Sequence, residues 1–443
     1  YAQSNFGDID FEQIKKLQMA QVAISSLYVD SVDQQKLAED AINGMLSKLD
    51  PHSSYTNAKE TKKINEPLSG NFEGIGVSFN MVKDTLLVLQ VISKGPCERA
   101  GVMAGDRIIA VNGVTIAGVK MDRDSIMTKL RGPKGTLANL DIVRRGTQGV
   151  LHFKVTRDKI PVNTVDAAYM ITPTSGYIHL DSFGTTSGKE VSDKIKELKK
   201  QGMKDLILDL GMNGGGYLNA AQEVASQFLP NGSMIVYTDG RVMPRQELRS
   251  EGEGLMQTEG RIVVLVDEFT ASAAEIVSGA LQDHDRGTII GRRTFGKGLV
   301  QRPIDLPDGS MIRLTVSHYY TPSGRCIQKP YVKGEKKEYE QDLEKRYTRG
   351  ELTNIDSIHL DSTKVYKTLS KGRTVYGGGG IMPDIFVPLD TTAYTPYYRA
   401  LRRYNLINEW TLRYVDENRK VLKRKYRKFQ DFEDKFEVPT SLT

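Results

Sequence analysis

Apolar positions at helical spacing open the chain: Phe11, Ile14, Leu17, Val22 and Leu27 mark one amphipathic segment, and Leu37, Ala41, Ile42, Met45 and Leu46 a second. The stretch Leu-Asp-Pro-His-Ser-Ser-Tyr (49–55) ends the second segment with a proline break. Two striped helices bury little by themselves, so they are predicted to pack on another domain or on a second copy of the chain. From 69 to 158 the rhythm changes to short β-like runs separated by turn signals. Beyond Val162, strand-length apolar runs alternate with helical stripes: strand 176–180, helix 187–201, strand 206–210, helix 220–228, strand 262–266, and a helix after Ser272. This βαβ rhythm predicts a multidomain α/β protein. Charge-rich, helix-forming sequence over 331–376 interrupts it as an insertion that covers or flanks the core, and an aromatic, basic helical tail follows Asp390. The predicted division is 1–67 helical, 68–158 β-rich, 159–392 α/β core and 393–443 tail.

Composition adds bounds. The 443 residues suit about three domains, and 39% hydrophobic residues allow proper cores. No apolar run approaches the ~18 residues that a membrane helix needs, so no transmembrane segment is predicted. The chain begins at Tyr1, with neither an initiator methionine nor a signal sequence, and reads as processed or trimmed. Cys97 and Cys326 fall in separate predicted domains and build no disulfide framework. Net charge is +6, much of it in the basic run 413–428, but Asp431, Glu433 and Asp434 follow at once. That run reads as a solvated helical face, with no nucleic-acid partner. Nothing in the pattern calls for a metal or a cofactor.

Two positions carry candidate chemistry. Ser272 stands in Val-Asp-Glu-Phe-Thr-Ala-Ser-Ala-Ala-Glu (266–275), where a buried strand meets a helix. There its hydroxyl is exposed beside helix amides that have no intrahelical partner and can face an oxyanion. Ser-Ala-Ala-Glu (272–275) also fits a capping box, with Thr270 a competing cap. Lys297 lies between two glycines in Phe-Gly-Lys-Gly-Leu-Val-Gln (295–301). A lysine activates a serine only when neutral, which needs burial or cationic neighbours to lower its pKa from about 10.4. The rival Ser-His-Asp arrangement fails on distance, since His284 is twelve residues along the same helix, about 18 Å from Ser272. The same distance gives Asp283 a structural role. His318 reads as a strand residue, and His52, His152, His179 and His359 lie away from any nucleophile motif.

These segments, with Leu-Asp-Leu-Gly-Met-Asn-Gly-Gly-Gly (208–216), Tyr-Thr-Pro-Ser-Gly-Arg-Cys-Ile-Gln (320–328) and Gly-Gly-Gly-Ile-Met-Pro-Asp (378–384), resemble the C-terminal processing peptidases, or tail-specific proteases. The resemblance runs from about Phe11 to Pro388, and the 49–55 stretch shares it. It implies a crotonase/Clp-like βαβ protease core, Ser272 as nucleophile, Lys297 as general base and Gln301 as the support of the lysine. On a regular strand four residues span about 13 Å, so contact between Lys297 and Gln301 needs the chain to curl at Gly298. The resemblance further implies oxyanion donors from Ala273 and from Gly215 or Gly216. Gly211 departs from the family, in which arginine is usual, and so does Met212, where a small or polar residue is common. Bacterial members act in the cell envelope, which implies a periplasmic or otherwise exported location.

Phe-Glu-Gly-Ile-Gly-Val-Ser-Phe (72–79), the Gly-Asp-Arg-Ile of 105–108 and the segment 122–130 resemble a PDZ domain, an inserted module with Gly74, Ile75, Gly76 and Val77 as its carboxylate loop. Such a domain adds a peptide as an extra strand and captures its terminal carboxylate on backbone amides. Together the two resemblances imply a serine endopeptidase that cleaves unfolded or tail-marked polypeptides with free C-termini, while the striped helical termini offer a surface for a homodimer. A catalytically silent PDZ scaffold leaves Ser272 and Lys297 unexplained. A crotonase-like acyl-transfer enzyme has no use for a peptide-tail module.

Overall fold

The computed structural model describes residues 10–392 and 394–440. The chain divides into two compact units, Tyr1–Leu68 with Thr164–Pro388, and Ser69–Asn163 with Leu389–Thr443.

In the first unit six strands line up as Val165–Met170, Ser175–Leu180, Asp205–Asp209, Ile262–Val266, Gly287–Gly291 and Ile385–Phe386. The first pair is antiparallel and the others are parallel. Near-continuous apolar runs such as Ile-Val-Val-Leu-Val suit parallel strands covered on both faces, and the crossovers need helices. Ser187–Lys200, Leu218–Ser226 and Ala273–Asp283 supply them. Ile178, Leu208, Val264, Val277 and Ala280 are wholly buried in the resulting core. Ala273–Asp283 is buried along its whole length. Its small residues allow that: a Cβ at Gly279 would stand 2.9 Å from Thr321 Cγ2. The loops after Asp205–Asp209 and after Ile262–Val266 leave the carboxyl ends of neighbouring parallel strands, where open α/β sheets form their crevice.

A second sheet runs Ser54–Thr56, Met311–Tyr320, Met234–Asp239, Gln246–Arg249, with Leu299–Asp305 also paired to Met311–Tyr320. The 49–53 turn is fastened to this sheet, since Thr315 Oγ1 donates to Asp50 Oδ1 at 2.8 Å and Thr315 N donates to Ser53 Oγ at 3.1 Å. Asp283 is paired with Arg325 at 2.7 Å, both fully buried, and ties the end of its helix to the 320–328 loop. Within 331–376 lie helices Lys336–Glu340 and Asp342–Thr348 and the hairpin of Val365–Lys367 with Thr374–Tyr376. Helix Ala58–Leu68, absent from the apolar pattern, is also present. Helix Phe11–Leu27 forms where predicted, but none of its residues is buried.

The second unit has a sheet ordered Val77–Val82, Thr85–Val91, Arg107–Val111, Leu137–Val143, Leu151–Thr156. Helix Arg123–Leu130 is capped by Asp122 on Ser125 N. The buried Arg157 guanidinium donates to Lys129 O, Leu130 O and Leu137 O, satisfying the carbonyls at the end of that helix. The basic tail belongs to this unit and is not simply solvated: Asp416, on helix Leu406–Lys425, is buried against Arg107 at 2.6 Å.

Candidate active site

Ser272 is the residue before helix Ala273–Asp283, with φ 56° and ψ −115°. A side chain held at positive φ costs on the order of 1–3 kcal/mol and persists only where its surroundings impose it. They do so through Glu275, one turn into the helix and fully buried. Its Oε2 accepts from Ser272 N and Lys297 N, both at 2.9 Å, and its Oε1 from Gly296 N at 2.8 Å and Thr294 Oγ1 at 2.5 Å. The glutamate arm of the predicted capping box therefore forms, and the same carboxylate also gathers the lysine loop. Burial pushes the Glu275 carboxyl up to about 7 against the pull of these donors. Tyr319 closes the other side, its hydroxyl within reach of Ser272 O at 3.1 Å and of Lys297 O. A phenol has one proton, so it serves one carbonyl at a time. Thr270 donates its hydroxyl to Leu210 O and caps nothing.

Lys297 is half-buried. Burial, and then the nearby Arg313 charge, holds its amine below the ordinary lysine value, while Glu275 and Asp50 oppose the shift. Its Nζ donates to Gln301 Oε1 at 3.1 Å. The register slips between Val300 and Gln301 where the strand pairs with Met311–Tyr320, and Gly298 N is turned onto Gln328 Oε1 at 2.8 Å. The curl that a four-residue contact requires is thus present. Gln301 Nε2 donates to the backbone carbonyl of His52, which can only accept, so the amide oxygen must face the lysine. Among the described residues the hydrogen bond of Lys297 Nζ goes to Gln301 and none links it to Ser272 Oγ. Such contacts often tighten only when substrate is bound.

The glycine loop faces the serine from the neighbouring strand. Ala271 N donates to Asn213 O at 2.9 Å. A Cβ on Gly215, at φ 95°, would stand 2.8 Å from Ser272 Cβ and 2.9 Å from Ala273 N. Gly215 N is taken by Asn213 Oδ1 at 2.8 Å, and Asn213 is itself anchored by donating to Leu180 O at 2.7 Å. Gly216 N and Ala273 N have no hydrogen-bond partner among the described residues. Of the two glycines, it is Gly216 whose amide is free. Gly211 stands between Asp209 and Asp267, where a Cβ would lie 3.0 Å from Asp209 Oδ1. The histidines form no triad with Ser272, since His284 Nε2 contacts Met234 O at 2.7 Å and His318 lies in the strand Met311–Tyr320.

In the second unit a separate cavity of roughly 70 Å³ is lined by Phe72, Gly74, Ile75, Gly76, Val77, Phe79, Met127, Leu130 and Arg131. It runs between the predicted carboxylate loop and helix Arg123–Leu130. Ile75 N and Gly76 N have no partner among the described residues, while the carbonyls of both accept, from Cys97 N and Ile92 N. Ile75 does not offer its side chain as a specificity contact: that side chain is 2% exposed and packs in the core with Cys97 and Ile126. Met127 is the half-buried apolar wall.

A serine at a strand-to-helix elbow, facing a glycine loop and joined to a peptide-binding module in one chain, defines a peptidase of the serine class. Residues 174–336 match Peptidase family S41, 74–163 a PDZ domain, 2–61 the N-terminal domain of the activating protease CtpB, and 397–443 a family of unknown function. The carboxy-terminal-processing protease of Bartonella bacilliformis is 39% identical over 330 residues, covering 73% of this chain and 72% of that protein. The carboxy-terminal processing protease CtpA of Bacillus subtilis is 36% identical over 359 residues, covering 79% and 75%. The solved photosystem II D1 C-terminal processing protease aligns at 26% identity with a TM-score of 0.42, over 86% of this chain and 94% of that one. The chain belongs to the C-terminal processing proteases of Peptidase family S41 and is a serine peptidase carrying a PDZ domain.

The residues that sequence reasoning missed act through backbone. In sequence Glu275 carries only the signal of a helix cap, Asn213 and His52 only that of lying in matching segments, and Tyr319 falls just outside the 320–328 segment. Glu275→Gln tests the first of these. A glutamine has one carbonyl oxygen and turns an NH₂ toward two of the four donors, and each buried donor left unpaired costs about 1–3 kcal/mol. Urea denaturation should show a loss of that order, with peptidase activity falling alongside. An unchanged midpoint would mean that the carboxylate does not hold the two loops.

Proposed function

We propose that this serine peptidase cleaves unfolded or tail-marked polypeptides with a Ser272–Lys297 dyad and selects them by their C-termini in the PDZ groove. The observation that carries the reading is that a buried carboxylate oxygen binds the backbone amides of both residues while burial lowers the lysine pKa. Neutral Lys297 takes the Ser272 proton as Oγ bonds to the scissile carbonyl carbon. The carbonyl oxygen becomes an oxyanion held by the free amides of Gly216 and Ala273, with Gly215 supplying the clearance for their approach. Collapse breaks the C–N bond, and Lys297 returns the proton to the leaving amine. The lysine then activates water, whose attack on the acyl-serine releases the second product. Gln301 holds the amine by accepting one of its protons, so that its lone pair stays available to the serine.

Processing of an unfolded substrate by the purified protein tests this directly. Ser272→Ala and Lys297→Ala should each abolish cleavage, and the double variant should lose no more than either single one, because the two act as a unit. Activity should rise with pH through the depressed lysine pKa, since only the neutral amine accepts a proton. Appreciable turnover by Lys297→Ala, or an acid limb that disappears with His284→Ala or His318→Ala, would transfer the base role elsewhere.

The groove reading rests on the free amides of Ile75 and Gly76 at the mouth of an apolar cavity. Amidating the substrate C-terminus, replacing its terminal apolar residue with aspartate, or making Met127→Asp should each lower kcat/KM about tenfold or more, the loss of roughly 1.4 kcal/mol of binding. Equal rates for free-acid and amidated substrate below saturation would remove tail selection from the function.

Helix Phe11–Leu27 exposes Phe11, Leu17, Met19, Val22 and Leu27, an apolar set that the single chain leaves uncovered. A second copy of the chain is the proposed cover. Sedimentation should give twice the chain mass for the full chain and a monomer after removal of residues 1–28, and a monomeric full chain would refute the pairing. A periplasmic or otherwise exported location rests on the family resemblance. No helix among the described residues is long and apolar enough to cross a membrane, and fractionation of the native cells tests the placement.

A further inference from the structure

The 331–376 insertion flanks the lysine loop and is bolted to it by buried polar groups. Arg346, on helix Asp342–Thr348 and 1% exposed, donates to Thr294 O at 3.1 Å and to Arg293 O. Lys329, also buried, sits 4.0 Å above the Phe295 ring and 4.1 Å above the Tyr339 ring and pairs with Asp342 at 2.9 Å. Tyr339, on helix Lys336–Glu340, is thereby locked with its hydroxyl 2.8 Å from His52 Nε2 and 3.2 Å from Gln328 Nε2.

The Gln328 amide fixes the direction of the first hydrogen bond in this chain. Gln328 Oε1 accepts from Gly298 N, so the Gln328 amide nitrogen is the group facing Tyr339 and it donates. The Tyr339 oxygen therefore accepts there, and its single proton is left for another partner, for which the His52 Nε2 at 2.8 Å is in place when that nitrogen is bare. Burial and the Lys297 charge push His52 down to about 4, so it stays neutral at working pH. Burial pushes the Tyr339 phenol well above its ordinary value, so it keeps its proton. The backbone carbonyl of the same His52 receives Gln301 Nε2, and Gln301 Oε1 receives Lys297 Nζ.

We propose that Tyr339 is a positioning residue for the lysine, acting through His52 and Gln301, and that the insertion exists in part to present it. The proposal rests on the reading of Lys297 as general base. The other groups facing Lys297 are Arg313 from the long strand, Glu275 from the buried helix and Asp50 from the 49–53 turn. None of them is hydrogen bonded to Tyr339, but Gln328, which also meets its hydroxyl, holds Gly298 N beside the lysine, so His52→Leu is the variant that isolates the His52 link. Without the phenol the His52 turn loosens, Gln301 loses its fixed acceptor, and water gains access to the amine, which favours the ammonium form.

The test is the pH profile of kcat/KM for Tyr339→Phe on an unfolded polypeptide. The acid limb should move to higher pH by roughly half a unit or more, toward the unperturbed lysine value. Activity near neutral pH should fall several-fold and recover at high pH, with KM unchanged within about twofold because substrate is not touched. His52→Leu cuts the same link from the other side and retains the backbone carbonyl. It should give the same shift, the double variant should add nothing, and it decides the matter should Tyr339→Phe not fold. A profile superimposable on that of the unaltered protein, or additive shifts, overturns the proposal. A Lys297→Ala protein that still cleaves would instead overturn the dyad. With Lys297→Ala inactive and the Tyr339→Phe profile unmoved, the positioning role alone fails.

Discussion

One buried carboxylate organises this site. Ser272 and Lys297 lie on segments that have no reason to meet: one opens a helix behind a parallel strand, the other leads into a strand of a different sheet. Glu275 joins them by spending both oxygens on backbone amides and a threonine hydroxyl. A carboxylate taken out of water is tolerated only when its lone pairs are satisfied. Losing any one partner therefore penalises the whole cluster, and this is what keeps a serine at positive φ and a lysine loop in register with it.

The same logic extends outward. Side chains that approach the lysine loop mostly bind backbone: Tyr319 reaches Lys297 O, Gln328 takes Gly298 N, and Arg346 takes the carbonyls of residues 293 and 294. Fixing main chain leaves Lys297 itself with few polar contacts, so its amine stays desolvated while its position is set. Where side chains are used, they come in sequences: Gln328 Nε2 donates to the Tyr339 hydroxyl, that hydroxyl meets the His52 ring, the His52 carbonyl takes Gln301 Nε2, and Gln301 Oε1 takes Lys297 Nζ.

The glycine loop solves a different problem, that of clearance. Gly215 is required because any side chain would strike Ser272 and Ala273, and its amide is spent on Asn213. Clearance and a free amide thus fall on adjacent residues. Gly211 departs from the family at the same loop without disturbing it: Asp209 caps its amide at 2.8 Å and Asp267 takes the amide of Met212 at 3.0 Å.

Periodicity alone located three of the parallel strands, the helix after Ser272 and the two N-terminal helices, because their apolar spacing reports which face is buried whatever covers it; Gly287–Gly291 and Ile385–Phe386 escaped it. Matching motifs singled out Ser272, Lys297 and Gln301, and the spacing of His284 along one helix excluded it as a partner. Contact between Lys297 and Gln301 was beyond sequence spacing, since it depends on a register slip that only pairing with Met311–Tyr320 imposes. The choice between Gly215 and Gly216 was likewise open, because it turns on which amide Asn213 occupies. His52 lay in a recognised stretch yet carried no role, for its contribution is a backbone carbonyl, which every residue possesses. Ile75 lines the groove through its backbone while its side chain faces the core, because side-chain direction follows the path of the loop and not the motif. The sequence determined which segments bury apolar surface and which residues are the candidates for the chemistry; only the tertiary structure decided which donors remain free, since hydrogen-bond satisfaction is settled among groups far apart in the chain.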